Sequence, residues 1–223
     1  MVRTLAFRRN ATLVRPNRSH QVAYIVQELI EGGELYEMIE YQGAFDPKFV
    51  RYFFSQILKG VLFLHSKGLA HRDLKCSNIL LTSQKSIKIV DLGLAKSMVR
   101  NGGDVMMHTL AGTIDHMAPE IIESNPYRGA EADLFAVGVI LFTLYAGHPP
   151  FEKAHRNDKF YRWMFYGQPA EFWKMHDRFH PDGFYDQNFK NLISLMFSYS
   201  SQNRPTIPDI IAHPWLRNGA VAT

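Results

Sequence analysis

One stretch, HRDLKCSNILL at residues 71–81, constrains the fold more than any other part of the chain. It begins with a dense run of charged and polar side chains and then becomes fully apolar. A polar turn, TSQKS, separates this apolar end from a second apolar run at residues 87–90, and two such runs around a polar turn predict a β-hairpin. The motif DLG follows the second run at residues 91–93.

A hairpin returns its second strand to the start of its first, so Asn78 and Asp91 are expected to lie side by side. One amide oxygen and one carboxylate form a hard oxygen site, which suits an Mg²⁺ ion that keeps water and phosphate as its other ligands. Asp73 stands outside this pair and is free to accept a proton. These three residues are the first candidates for a metal-dependent active site.

The segment before this loop predicts one strand and two helices. Residues 23–28, AYIVQE, are a β-rich run, and the glycine pair that follows ends it. A short helix is predicted over residues 34–40. A long helix begins after Asp46, with Pro47 in its first turn, and apolar residues recur at helical spacing until Gly68.

The segment after the hairpin predicts a loop and then a mainly helical region. Residues 93–130 show little periodicity and are predicted to be loop. Residues 131–146 predict a buried helix, because the apolar run at 134–147 is shorter than the roughly 20 residues that a membrane span needs. We therefore expect no membrane partner.

Composition places the chain among ordinary globular proteins. It has 223 residues, of which 46% are apolar and 21% are charged, enough to form one large domain or two small ones. The net charge of +4 suits an anionic ligand such as a nucleotide, but it equally suits a solvated surface. We expect no nucleic-acid partner.

The single cysteine and the basic first segment bear on location. Cys76 cannot form an internal disulfide, so a reducing, cytoplasmic compartment is expected, and the thiol is a bystander or, alternatively, a nucleophile. The first 27 residues contain arginines but no Asp or Glu, which is also typical of a mitochondrial transit peptide. The early strand at residues 23–28 favours ordinary or misjoined chain over a transit peptide.

Three motifs, in order, resemble those of the eukaryotic protein kinase family. The pattern H-R-D-x-x-x-x-N of its catalytic loop matches residues 71–78, D-F-G matches residues 91–93 with Leu92 in place of Phe, and A-P-E matches residues 118–120. The closing residues 204–216 resemble large lobes of the calcium/calmodulin-kinase type. The resemblance implies an α+β fold: a mainly α-helical large lobe with a vestigial β small lobe.

This resemblance implies a division of the chain and a reaction. Residues 1–30 would be a basic stub and a remnant of the small lobe, residues 31–218 the large lobe, and residues 219–223 a tail. The reaction would be ATP-dependent phosphoryl transfer to Ser or Thr hydroxyls of a protein substrate, with ATP and Mg²⁺ as cofactors.

The family's catalytic roles carry over to five residues. Asp73 would orient the substrate hydroxyl and take its proton. Lys75 would spread the charge of the transferred phosphoryl group, and a Lys at this position is typical of Ser/Thr kinases. Asn78 and Asp91 would hold Mg²⁺, and Thr113 would bridge Asp73 and Lys75.

The family's adenine site carries over to the strand and hinge YIVQELIEGGEL. Gln27 would be the gatekeeper, and backbone groups of Glu28 and Ile30 would read the adenine edge. Glu34 would approach the ribose or a basic substrate side chain, and Leu80 would pack under the adenine ring.

A regulatory site and two scaffold contacts are also implied. Thr109 would be phosphorylated, by an upstream activating kinase, and its phosphate would meet Arg72 and Lys96; alternatively, Thr109 is a plain loop residue. Asp133 would anchor the catalytic-loop backbone. We also expect a buried ion pair between Glu120 and Arg204.

Two further features of the sequence concern histidines. His116 stands where the family usually has Tyr, which affects the peptide-docking surface. His176 and His180 lie four residues apart and could share a helix face, but a solvent-exposed or packing role is favoured over metal binding because the H-E-x-x-H pattern is missing.

Other parts that the family uses do not occur in this sequence. No Gly precedes residue 23, no Lys precedes Lys48, and the first Glu is Glu28, so the Gly-rich loop, the strand Lys and its helix Glu are missing. We therefore expect little turnover from this chain and an exposed edge on its single early strand. Two alternatives remain: a non-catalytic kinase-like interaction module, or an incomplete gene product.

Overall fold

A computed structural model of the protein describes residues 1–15, 18–100 and 102–217, and only the backbone of residues 9–15 and 18–21. The chain begins with an antiparallel hairpin of two long strands, β1 (Thr4–Arg15) and β2 (Arg18–Gln27). The expectation of a single early strand was therefore wrong. The run RRN hides β1 in the sequence, and the strand pairing shifts register there, between Arg8 and Ala11.

The chain then passes through a hinge into helix α1 (Leu35–Gln42), as predicted. The hinge is fastened to the later hairpin by two backbone bonds, from the Gly32 amide to the Leu81 carbonyl and from the Leu81 amide to the Gly33 carbonyl, each 2.9 Å. A Cβ on Gly32 would lie 2.3 Å from the Leu81 carbonyl oxygen, so this close approach requires glycine.

Helix α2 (Pro47–Ser66) confirms the predicted long helix. The Asp46 side chain caps it by accepting a hydrogen bond of 2.7 Å from the Lys48 amide. Gly68 adopts a φ of +70°, which ends the helical path and starts strand β3 (Leu69–Ala70).

The predicted hairpin is present as β4 (Ile79–Leu81) and β5 (Ile87–Ile89), with Ile79 paired to Ile89. The three residues directly before it, Cys76–Asn78, form a 3-10 turn. The loop and the hairpin thus form one continuous unit that packs under the hinge.

Residues 93–130 are not all loop, contrary to the prediction. The described residues of this range include a short helix, α3 (Pro119–Ile122), and five two-residue strands, none of which shows periodicity in the sequence. Strand β6 (Lys96–Ser97) pairs with β3, and β9 (Met106–Met107) pairs with β10 (Tyr127–Arg128), so these strands depend on distant partners. Strands β7 (Val99–Arg100) and β8 (Gly103–Asp104) instead pair with each other over a short sequence separation.

Helix α4 (Gly129–Ala146) is the centre of the core. Its 18 residues have a mean hydropathy of 1.5, enough by length and composition to cross a membrane, but 89% of them are buried inside the protein. A helix that is apolar on all sides and covered on all sides by protein is a core helix, as the sequence predicted.

The last part of the described chain is helical. It contains α5 (Tyr161–Phe165), α6 (Pro169–Asp177), α7 (Gln187–Met196), a 3-10 turn (Ser201–Asn203), α8 (Ile207–Ala212) and α9 (Pro214–Arg217). These helices pack with α2 and α4 around one aromatic-rich core. The predicted tail at residues 219–223 lies outside the described residues.

Candidate active site

The catalytic loop is anchored to the central helix by one buried carboxylate. Asp133, 1% exposed, accepts hydrogen bonds of 2.8 Å from the amides of both His71 and Arg72, and a third contact of 2.9 Å from the His65 ring. Because each carboxylate oxygen is used, the buried charge is compensated. This is the anchoring arrangement that the resemblance implied for Asp133.

His71 ties the same loop to the end of the hairpin. Its Nδ1 accepts from the Asp73 amide at 3.3 Å, so its Nε2 carries the proton and donates to the Val90 carbonyl at 2.9 Å. The start of the loop and the residue before Asp91 are therefore held together by a single buried side chain.

Asp73, Lys75 and Thr113 form one hydrogen-bonded group. The Thr113 hydroxyl donates to Asp73 Oδ1 at 2.6 Å and accepts from Lys75 Nζ at 2.8 Å, and Lys75 Nζ lies 3.3 Å from Asp73 Oδ2. Burial opposes ionisation of Asp73. The hydrogen bond from Thr113, the charge of Lys75 and the bond from Asn78 outweigh this effect and hold the pKa of Asp73 below its usual value. Asp73 is thus an anion that can accept a proton.

Asn78 and Asp91 stand at adjacent ends of the hairpin, because the Val90 amide donates to the Asn78 carbonyl at 3.0 Å. The Asn78 side chain donates from Nδ2 to the Asp73 carbonyl at 2.8 Å and to Asp73 Oδ2 at 3.2 Å. Its Oδ1 is therefore left without a protein donor in the described part of the chain. Asp91, with a φ of +58°, uses Oδ1 to accept from the Gly93 amide at 3.0 Å.

These two side chains fit a hard divalent cation by their chemistry. In the part of the chain that the structure describes, Asn78 Oδ1 and Asp91 Oδ2 accept no hydrogen bond from protein. A site with few protein ligands suits Mg²⁺, which retains water and phosphate. Among the residues whose side chains the structure describes, no group of three or more His, Cys, Asp or Glu is placed to hold a metal ion. Metal binding by Asn78 and Asp91 stays a prediction.

The expected adenine contacts lie around the hinge. Gln27 ends β2, and the Glu28 amide donates to the Arg3 carbonyl at 3.0 Å, while the Glu28 carboxylate accepts from the Arg3 amide at 2.7 Å and from Lys88 at 3.1 Å. The backbone groups of Ile30 have no partner in the described chain, so they remain available to a ligand.

Glu34, which follows the hinge, and Leu80, in strand β4, lie next to each other. They form an isolated antiparallel bridge, which fixes the hinge directly above strand β4. The structure therefore brings the hinge residues and the hairpin to one place, and their role in binding adenine remains a prediction.

No hydrogen bond or ion pair joins the side chains of Thr109, Arg72 and Lys96 in the described chain, and phosphate binding by these residues stays a prediction. Thr109 and Lys96 are exposed, and Arg72 instead donates from Nε to the Leu94 carbonyl at 2.7 Å. Lys96 is nearby only through strand pairing opposite Ala70. Arg72 also contacts Tyr127, which was not predicted from the sequence because the two residues lie 55 positions apart.

Two other expectations concern structural residues. Arg204 and Glu120 form a bidentate pair at 2.7 and 2.6 Å, with the Arg204 side chain fully buried, as expected. Cys76 is 3% exposed, and burial raises the pKa of its thiol to about 12, which favours the bystander role over that of a nucleophile.

The histidines that drew attention in the sequence have separate environments. His116 contacts Asp115 Oδ1 through Nδ1 at 3.0 Å, and this hydrogen bond holds the pKa of Asp115 below its usual value. His176 is buried among aromatic rings, and His180 stacks on Phe184 with 4.0 Å between ring centroids. Both serve packing, in line with the interpretation that we favoured.

Comparison with known proteins gives a consistent result. A family model described as the protein kinase domain matches residues 2–216. CBL-interacting serine/threonine-protein kinase 26 of Arabidopsis thaliana is 35% identical over 194 residues, which are 87% of this chain and 42% of that protein. CBL-interacting protein kinase 31 of Oryza sativa subsp. japonica is 35% identical over 196 residues, or 88% of this chain and 41% of that protein. The chain thus spans less than half the length of these relatives.

Proposed function

The chain belongs to the protein kinase family, and from that premise we propose that it is the catalytic part of a protein Ser/Thr kinase. The observation that carries the proposal is the hydrogen-bonded group of Asp73, Lys75 and Thr113, in which an ionised carboxylate lies beside an ammonium group. This group lies beside Asn78 and Asp91, the two residues suited to Mg²⁺.

The proposed reaction is transfer of the γ-phosphoryl group of ATP to a Ser or Thr hydroxyl. The hydroxyl oxygen forms a bond to the γ-phosphorus, the bond from that phosphorus to the β,γ-bridging oxygen breaks, and ADP leaves with the bond's electron pair. Asp73 orients the hydroxyl and receives its proton, while Lys75 stabilises the negative charge on the transferred group. Bound Mg²⁺, held by Asn78 and Asp91, would neutralise charge on the phosphates.

An open groove next to this group offers room for a protein substrate. It has a volume of about 820 Å³, and its lining includes Thr113, Ile114, Phe151 and Phe160. Since Thr113 also contacts Asp73, a peptide in this groove would pass close to the catalytic carboxylate. We propose that protein segments bind here and that an upstream kinase acts on Thr109.

We expect a protein with this sequence to catalyse phosphoryl transfer slowly. Removal of one preorganised electrostatic contact typically costs about 10² to 10³ in rate, and the sequence contains neither the Gly-rich loop nor the strand Lys of the family. The assay must therefore detect weak activity above background, and the variants must separate that activity from a contaminant.

The test is phosphorylation of a generic basic protein by the purified chain with Mg²⁺ and radiolabelled ATP. Asp73→Asn should abolish the signal because it removes the proton acceptor. Asp182→Asn is the matched control, since Asp182 is exposed and lies in the loop between α6 and α7. Equal activity in the Asp73→Asn variant would contradict the proposal.

If no phosphorylation is seen, nucleotide binding decides between the alternatives. A rise in melting temperature on adding Mg²⁺ and ATP would retain the active-site assignment, because a ligand that binds only the folded state stabilises it. Absence of both activity and any shift would favour a non-catalytic interaction module.

A further inference from the structure

A buried tyrosine connects the catalytic loop to the segment that carries Thr109. The Tyr127 hydroxyl accepts a hydrogen bond from Arg72 Nη1 at 3.3 Å and donates one to the Thr109 carbonyl at 3.0 Å. Tyr127 is only 2% exposed, so water does not compete readily for these bonds. We propose that Tyr127 is a positioning residue, whose hydroxyl fixes the 109–113 segment onto Arg72 while Thr109 is unmodified.

Tyr127 is itself held by rigid parts of the fold. It lies in strand β10, where it pairs with Met107 of β9, and helix α4 begins two residues later, at Gly129. The same helix carries Asp133, which binds the backbone of Arg72. One short stretch of chain therefore positions both the backbone of Arg72 and, through Tyr127, its guanidinium group.

The segment from Thr109 to Thr113 is attached at both ends. Tyr127 holds the first end through the Thr109 carbonyl, and the Thr113 hydroxyl holds the other through Asp73. Between them, Gly112 runs so close to the Arg72 carbonyl that a Cβ would lie 2.5 Å from its oxygen. Loss of the Tyr127 hydroxyl should therefore free the Thr109 end while the Thr113 end stays attached.

This arrangement has a regulatory consequence. The side chains of Thr109 and Lys96 are exposed, whereas Arg72 is already engaged by Tyr127 and by the Leu94 carbonyl. The hydroxyl of Tyr127 thus supplies, without a phosphate, a polar partner for Arg72 and a tether for the segment. Phosphorylation of Thr109 is then not needed to place the segment on the catalytic loop.

The test is native-state proteolysis of the full chain by chymotrypsin, without nucleotide, so that its outcome does not depend on catalysis. Leu110 is 63% exposed and follows the tethered residue directly, so cleavage there reports opening of the segment. Tyr41, 95% exposed at the end of α1, is a reference site in the same molecule. The masses of the fragments identify each site.

Tyr127→Phe should raise the cleavage rate after Leu110 about 5- to 30-fold, the range expected when a buried hydroxyl that makes two hydrogen bonds is removed. Cleavage after Tyr41 should not change. Tyr161→Phe is the matched control, because Tyr161 is a fully buried tyrosine whose hydroxyl donates to the Phe197 carbonyl at 3.1 Å and not to the 109–113 segment. It should leave the ratio of the two cleavage rates as in the unmodified protein.

Arg72→Lys provides the second variant, since lysine cannot reach both the Leu94 carbonyl and the Tyr127 hydroxyl. In that background, Tyr127→Phe should add less than its effect alone, which a purely structural role would not produce. The proposal is overturned if Tyr127→Phe leaves the ratio unchanged, if Tyr161→Phe raises it equally, or if the two substitutions are fully additive.

Discussion

Replacing His176 by phenylalanine should remove much of the sensitivity of the helical core to acid. His176 is 1% exposed in helix α6. Its ring lies against those of Phe142, Phe160 and Phe172, with centroid distances of 4.8, 4.7 and 4.4 Å. An apolar, aromatic site of this kind stabilises the neutral imidazole and not its charged form.

The pKa of His176 gives the magnitude of the effect. Burial, then the nearby His148 and to a lesser extent His180, lower this pKa from 6.5 to about 3, and the Pro150 backbone acts in the opposite direction. In the unfolded chain His176 binds a proton as the pH falls through about 6.5, whereas in the folded chain it stays neutral until about pH 3. The free energy of unfolding is therefore highest above pH 6.5 and falls as the pH drops towards 3. Integrated from pH 7.5 to pH 5, the loss is about 2 kcal/mol.

Urea unfolding followed by circular dichroism at pH 7.5, 6 and 5 measures this loss. The unmodified protein should lose about 2 kcal/mol more than His176→Phe between the first and last pH. Comparing pH dependence within each protein removes any constant cost of repacking. His108→Gln is the control, because His108 is exposed. Parallel pH profiles for the unmodified protein and His176→Phe would refute the reasoning.

Three further predictions concern the site. Thr113→Val removes both hydrogen bonds of the hydroxyl and should lower the free energy of unfolding by about 1–2 kcal/mol, measured in urea; an unchanged value would contradict the bridging geometry. Gly112→Ala should cost more stability than Gly183→Ala, because both have positive φ but only at Gly112 would a Cβ meet backbone, 2.5 Å from the Arg72 oxygen; equal thermal shifts would be the contrary result. Cys76 should resist a thiol reagent at pH 8 until the protein unfolds, and rapid labelling of the folded protein would show that its burial is wrong.

Much of the helical framework could be predicted because its signals are local. Asp46 and Pro47 mark the start of α2, and the continuous apolar run marks α4. The hairpin of β4 and β5 was visible for the same reason, since two apolar runs flank a short polar turn. In each case a few neighbouring residues contain the physical cause of the element.

The elements that escaped prediction have either distant partners or a local sequence pattern too short or too interrupted to identify a strand. Strand β1 was missed because its charged centre breaks the alternation that identifies a strand. Strand β6 forms only because Ala70 lies opposite Lys96. The contacts of Tyr127 with Arg72 and Thr109 join residues that no local pattern relates, whereas the contacts of Asp73 with Thr113 could be anticipated from the family resemblance.

The central claim, that Asn78 and Asp91 together hold a divalent cation beside Asp73, is tested most directly by binding of Mn²⁺ in place of Mg²⁺. Electron paramagnetic resonance measures the affinity of the chain for Mn²⁺ with a non-hydrolysable ATP analogue. Asn78→Ala and Asp91→Asn should each weaken binding by about tenfold or more, equivalent to roughly 1.4 kcal/mol, whereas Asp182→Asn should not. Unchanged Mn²⁺ affinity in both site variants would contradict the account.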